Sequence, residues 1–518
     1  MKPPARAIGV AIAVVVAIYV LRLDRVAGLM VDDAWYIVLA QSLARGDGYR
    51  LISSATAEIL PAVPPGFPAL LAPIIAVAPA FPANVVWLKL ISLAAVFAMA
   101  VVCWVDFTRH RGLPANQATL LTTVTVLTPG LVFLATSTVM SDCVFALAQV
   151  ITVCVVERIV RREETDGRAP VVAGLAAGVT ILIRTAGVAV VIAGIIYLLI
   201  SSRRRQAVAF AVVAGAVVLP WSLYARAHEP TDSERMAHGG TIAYSYQQLL
   251  TMDRLNDPAH GASSIGALAR RGSRNLAGVV TRDVGAVLVP SFYRGPFESG
   301  QEVISIGGPA GGSMGGAPQT MVISMVLTGI VIAGAIFVTR PQLSMPALLL
   351  VSTLLMIAPV GGQTFRYAIP LAPYLVWFFW NGLRHPVAAR IGMATLLGLL
   401  LMDHGAHIQR KLTATTEWLE DARENDELFA WMASNLRGDG AIAATNPGLA
   451  YLWTGRRTVA SVSPKENWER WQQAGIRYVA ASIKIDLPPE SLNWTLLYRT
   501  RERGLWVIEI DKLPPRQD

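Results

Sequence analysis

The chain has 518 residues, 54% of them hydrophobic and 15% charged, with a formal net charge of +9 and a mean hydropathy of +0.49. That much apolar surface excludes an ordinary soluble globule and points to a polytopic membrane protein. Lys and Arg fall largely in short clusters between apolar runs, where they set membrane orientation, so the basic balance is not read as a nucleic-acid surface. The three cysteines, Cys103, Cys143 and Cys154, lie in or beside apolar segments without CxxC or metal-ligand spacing, which argues against disulfides and a thiolate zinc site.

Residues 1–21 have a short basic start and an apolar run, as a signal peptide does. Asp24, Arg25 and Asp32 follow without a small-residue cleavage site, so the segment is taken as the first span. Residues 30–50, MVDDAWYIVLAQSLARGDGYR, come next. Asp32 and Asp33 stand at the start of a predicted amphipathic helix lying in the membrane interface and carrying Trp35, Tyr36, Leu39, Ala40 and Leu43 at helical spacing, which puts the acids at the favoured helix end.

Apolar length places spans at 8–22, 84–107, 117–137, 143–160, 170–183, 186–201, 206–225, 320–339, 345–360, 367–383 and 391–403. These make about eleven crossings, several of them shorter than the ~20 residues a spanning helix needs. The run at 66–80, after Pro64-Pro65, is taken as interfacial or re-entrant. The basic loops Arg109/His110/Arg111, Arg158/Arg161/Arg162, Arg203/Arg204/Arg205 and Arg384/Arg390 then share one side with Lys2 and Arg6. That side is read as the cytoplasm, leaving the acidic pair, the connection 227–319 and the C-terminal region on the outer face. PPGFPALLAP and LPWSLY suggest irregular backbone. The connection 227–319, with Tyr244, Tyr246 and the Gly-rich run GGPAGGSMGGAP at 307–318, has the length of a lid, and the Gly run reads as a flexible linker.

The transmembrane domain is assigned to 1–403, including outer loops 23–83 and 227–319, and a soluble domain to 404–518. In the latter, helices are predicted at 413–436, 447–453 and 467–474, and strands at 441–445, 459–462, 477–481, 495–498 and 506–510. The pattern implies a small α/β domain with an open sheet. Having no nucleophile elbow, P-loop or His/carboxylate cluster, it is read as an acceptor-handling or structural appendage.

Ionisable residues inside apolar segments are the candidates for chemistry, because placing one there is unfavourable by ~3 kcal/mol or more unless it faces a protein cavity. Asp142, in TSTVMSDCVF, lies on the same face as Asp32 and Asp33; it reads both as a functional carboxylate and as a helix N-cap. Arg184, in GVTILIRTAGVAV, either marks the outer turn of a helical hairpin by snorkelling or offers a fixed cation to an anionic headgroup. Arg366 and Tyr367 start a span at the same face, as an interfacial anchor or, beside Arg184, as a second phosphate clamp.

The ordered set DDAWYIVLAQSLARGDGY, PPGFPALLAP, TSTVMSDCVF, GLAAGVTILIRTAG, LPWSLY and FRYAIPLAPYL resembles bacterial integral-membrane glycosyltransferases of the C-type fold, similar to protein O-mannosyltransferases and lipid A aminoarabinose transferases. The resemblance covers roughly residues 8–383. It implies a hexosyl- or pentosyltransferase of the bacterial cell membrane with a polyprenyl-phosphate sugar donor, a lipid, glycan or protein acceptor, an outer-face active site and inversion at the anomeric carbon. Asp33 is expected to be the general base, Asp32 and Asp142 to position the acceptor or a cation, and Arg184, Arg366 and Tyr367 to hold the donor phosphate. Metal use stays open, with Asp32, Asp33 and Asp142 as ligands for any divalent cation. One departure concerns a Lys that relatives often carry near the Pro pair, where this chain reads Pro61-Ala62-Val63-Pro64-Pro65. Two alternatives are a lipid-linked polysaccharide polymerase or ligase and, with no internal repeat to support it, a transporter.

Overall fold

The computed structural model describes residues 3–54, 56–161, 168–232, 234–235, 244–252, 262–289, 318–339, 343–360, 365–413, 417–460, 464–473 and 475–510. The first part is helical: α1 (Pro3–Arg22), α2 (Asp32–Arg45), α3 (Gly66–Val77), α4 (Val85–Val105), α5 (Ala115–Val126), α6 (Pro129–Thr136), α7 (Asp142–Arg161), α8 (Arg168–Ile183), α9 (Val188–Ile200) and α10 (Arg204–Ala227). After two further helices, α11 (Tyr246–Thr251) and α12 (Ile265–Gly278), come α13 (Pro318–Val338), α14 (Met345–Ile357), α15 (Phe365–Ala368), α16 (Ala372–Gly382) and α17 (Pro386–Leu412).

Each stretch expected to cross the membrane is helical. Five of the described helices, α1, α4, α7, α10 and α17, are long and apolar enough to span, and the α5–α6 pair makes six if its 57° bend is counted as one broken span. The other expected crossings fall on shorter helices, so helix length alone supports fewer than eleven. Pro129 explains the bend: it has no N–H to continue the ladder from α5, and it holds Thr128 before it in an extended conformation. LPWSLY behaves differently from expectation, because α10 runs unbroken through Pro220; the proline removes one hydrogen bond and the turns on either side keep theirs. At 12 residues, α3 is about 18 Å long and cannot cross.

Close helix contact is written in small residues. A Cβ on Gly174 or Gly178 of α8 would lie 2.7 Å and 2.6 Å from the Cβ atoms of Val213 and Val217 on α10, so the small-xxx-small spacing lets the backbones meet. Val208, Val212, Leu219 and Leu223 of α10 remain exposed, as a lipid-facing surface requires. α7 covers roughly 30 Å from Asp142 to Arg161, enough to put its ends at opposite membrane faces. At the Arg161 end, Arg111 bridges Asp106 (2.7 Å) and Glu157 (3.2 Å), and Arg161 also meets Glu157 (2.9 Å).

Helix α17 continues past the composition change at 404 as far as Leu412, because His404 and His407 are buried on its inner face, His404 against the Leu127 carbonyl at 2.9 Å. The C-terminal region follows as α18 (Glu417–Asn435), β1 (Ala441–Ala444), α19 (Pro447–Thr454), β2 (Thr458–Ala460), α20 (Pro464–Gln473), β3 (Ile476–Ala481), β4 (Trp494–Arg499) and β5 (Trp506–Ile510). The sheet order is β2-β1-β3-β5-β4, parallel among β2, β1 and β3 and antiparallel from β3 onward. One face packs Leu428, Phe429, Met432 and Leu449 against Tyr478 and Val507, and Ala34 of α2 joins this core. Trp468 and Trp471 cover the other face with Trp506 and Ile508. The Gly-rich run, apart from Pro318, lies outside the described residues.

Candidate active site

The acids stand on a turn that does not form by default. Gly28 has φ +86°, where a side chain is strained, and Val31 has φ +55° in a tight turn closed by the Asp32 N–H on the Met30 carbonyl. A β-branched residue in that region stores strain and must be held from outside. Asp33 does part of the holding: its Oδ2 accepts from Gly28 N–H at 2.8 Å and its Oδ1 from Ala34 N–H at 3.0 Å.

Asp33 is fully buried. Burial pushes its carboxyl up to about 6, with the Asp32 charge adding to this and the Gly28 amide, the Lys89 charge and the Ala34 amide opposing it. Below pH 4 the group is protonated both folded and unfolded. Between about 4 and 6 the folded state binds the extra proton, so stability falls as pH rises through that window and by neutral pH the buried charge costs about 3 kcal/mol. Asp33→Asn should lack this slope. Thermal melts in detergent from pH 4 to 7.5 should show the melting temperature of the variant gaining on wild type as pH rises.

Asp32 faces the other way. Its carboxylate is 41% exposed and meets Arg366, whose Nη1 donates to Asp32 Oδ2 at 3.1 Å. The same guanidinium reaches Asp142 Oδ2 through Nη2 at 3.1 Å and through Nε at 3.3 Å. Asp142, the first residue of α7 and fully buried, also pairs with Arg184 Nη1 at 2.7 Å. Arg184 comes from the break between α8 and α9, and its guanidinium lies 5.2 Å over the Tyr367 ring. Tyr36 Oη and Ser141 Oγ meet at 3.0 Å beside this cluster.

Asp32, Asp142, Arg184, Arg366 and Tyr367 are therefore one constellation, assembled from α2, α7, the α8–α9 turn and α15. Asp33 is adjacent in sequence but does not contact either arginine through a described ion pair or hydrogen bond. Consecutive helical positions diverge by about 100°, so when Asp33 turns inward to Gly28, Asp32 turns outward to the arginines. Asp33, expected as the general base, is buried with both its oxygens accepting from backbone amides, whereas Asp32 is half-exposed beside Arg366.

The three carboxylates also fit a divalent cation poorly. Arg366 stands where a metal between Asp32 and Asp142 would go, Arg184 occupies the other side of Asp142, and Asp33 points elsewhere. No group of three or more potential ligands is assembled among the described residues.

Sequence reasoning missed Lys89. It is fully buried on α4, and its three donors go to Asp24 Oδ1 (2.7 Å), the Asp24 carbonyl (3.1 Å) and the Thr136 carbonyl (3.0 Å). Ser137 Oγ donates to the remaining Asp24 oxygen at 2.6 Å. An ammonium has three donors, so Lys89 is saturated by these three acceptors. It ties α4 to the segment after α1 and to the last residue of α6. The signal was a lone Lys in VVWLKLISL, which alone marks a partnered charge. Lys89→Met leaves Asp24 buried without its counter-ion and should cost about 3–5 kcal/mol, read as a lower melting temperature and loss of monodispersity in detergent.

No family model and no curated relative matches the chain. Solved structures do. The chain is similar to ArnT from Cupriavidus metallidurans bound to undecaprenyl phosphate, with TM-score 0.57, 12% identity and 98% of both chains covered. It is also similar to the Archaeoglobus fulgidus oligosaccharyltransferase in the apo form, with TM-score 0.55, 14% identity, 93% of this chain and 69% of that one covered. The same archaeal enzyme tethered to an acceptor peptide gives TM-score 0.52 at 13% identity, covering 99% of this chain and 75% of that one. A multi-helix apolar region and a mixed-sheet C-terminal region, matched over nearly the whole length of ArnT, give this chain the C-type fold that ArnT and the archaeal oligosaccharyltransferase share.

Proposed function

We propose that the protein transfers a sugar from a polyprenyl-phosphate donor to a hydroxyl of a lipid, glycan or protein acceptor at the outer face of the bacterial cell membrane. The observation that carries this reading is the pair of arginines, Arg184 and Arg366, held against Asp142 beside the half-exposed Asp32. The undecaprenyl phosphate bound by the similar ArnT supports the donor class.

In this reading Asp32 takes the proton of the acceptor hydroxyl. The oxygen attacks the anomeric carbon from the face opposite the phosphate, the carbon–phosphate-oxygen bond breaks with its electron pair, and configuration inverts. The polyprenyl phosphate leaves with an added negative charge, which Arg184 and Arg366 stabilise where it develops. Tyr367, beneath Arg184, orients that guanidinium. Two carboxylates and two guanidinium groups make the resting cluster neutral by formal charge. An arriving phosphate competes with Asp32 for Arg366, and the displaced carboxylate is then free to act as base.

The test is transfer of radiolabelled sugar from a panel of polyprenyl-phosphate donors by membranes carrying the protein. Donor-dependent product supports the proposal, and no product across hexosyl and pentosyl donors overturns it.

A further inference from the structure

The soluble domain reaches the acidic turn through one side chain used twice. Asn446 precedes α19 and caps it, its Oδ1 accepting from Leu449 N–H at 3.2 Å. Its Nδ2 donates to the Gly28 carbonyl at 2.8 Å. Gly28 in turn donates its N–H to Asp33, so both backbone groups of Gly28 are committed, one to the soluble domain and one to the acidic pair. The surrounding contact is tight. A Cβ on Gly28 would lie 2.6 Å from Leu449 Cδ2, and one on Gly448 would lie 2.9 Å from Trp35 Cδ1 and 3.0 Å from Ala34 Cβ. Asn446 is buried, and Ala34 sits in the soluble domain's own core.

An N-cap needs only an acceptor, and Asp or Ser serves as well as Asn. The amide's extra donor is what Gly28 uses. We propose that Asn446 is a positioning residue for the transfer reaction: by fixing the Gly28–Asp33 turn it sets the direction in which Asp32 leaves α2, which makes the C-terminal domain a working part of the active site. The role as positioning residue rests on the transferase reading, whereas the hold on the turn does not.

Asn446→Asp separates the two uses, since it keeps the cap and loses the donor, setting a carboxylate oxygen against the Gly28 carbonyl. Gly448→Val is the second variant, displacing the same turn by bulk while leaving the cap intact. Both are measured as full-length protein in detergent, by amide hydrogen exchange and by transfer kinetics. The expected result is exchange at 28–34 faster by about tenfold or more, with 417–510 protected as in wild type. kcat should fall about tenfold or more while donor KM stays within about threefold, as misdirection of a base and not loss of the donor site predicts. Wild-type protection at 28–34 in Asn446→Asp, or a wild-type kcat, overturns the proposal; so does loss of protection throughout 417–510 in both variants, which makes Asn446 a folding residue only. If wild type itself transfers no sugar, the transferase reading fails and with it the catalytic role, while the exchange data still judge the hold on the turn.

Discussion

Asp32→Asn should lower kcat for sugar transfer by about a hundredfold or more, the usual contribution of a positioned general base, with donor KM changed far less. Asn preserves the shape and can still accept a hydrogen bond from Arg366, so the loss reports the proton acceptor and not the collapse of the cluster. Asp33→Asn should retain transfer within about tenfold of wild type, because an Asn Oδ1 still accepts from Gly28 and Asp33 has no described contact with either arginine. Both variants are compared in the radiolabelled assay after monodispersity is checked in detergent. A dead Asp33→Asn beside an active Asp32→Asn would reverse the two roles.

That choice between neighbouring acids shows where sequence reading stops. The acidic pair, Asp142, Arg184 and Arg366 were legible because an ionisable residue in or beside an apolar run needs a partner or a purpose. Three C-terminal strands were legible for another reason: 441–445, 477–481 and 506–510 are short, apolar and separated by helical or polar stretches, and they fall on β1, β3 and β5. Which acid faces the arginines was not local information. It depends on Gly28, whose carbonyl is held by Asn446 from 418 positions away, and no pattern within the 30–50 stretch contains that contact. Helix α17 runs past the composition change at 404, because the buried His404 and His407 supply polar letters to an inward-facing stripe. Lys89 was overlooked because its partner, Asp24, stands 65 positions earlier and read as a flank of the first span.

Arg366 carries the other large effect. It is the one described side chain that touches both Asp32 and Asp142, and it does so with a planar fork that a lysine cannot imitate. Arg366→Ala leaves the fully buried Asp142 with Arg184 alone and should lower stability by about 3–5 kcal/mol, the usual cost of breaking a buried pair. Arg366→Lys keeps the charge and tests the fork. The discriminating measurement uses a sugarless polyprenyl phosphate as probe and follows the melting temperature in detergent as its concentration rises. Wild type should be stabilised progressively, as ligand binding to the folded state requires, and Arg366→Lys should need about tenfold more lipid for the same shift. Arg184→Lys is the companion variant: it loses a contact to Asp142 but leaves the Asp32–Arg366 pair in place, so its transfer rate should fall less than that of Arg366→Lys. If Arg366→Ala remains folded and shows the wild-type shift with the lipid, the phosphate is held elsewhere, and the arginine serves only to keep the two carboxylates together.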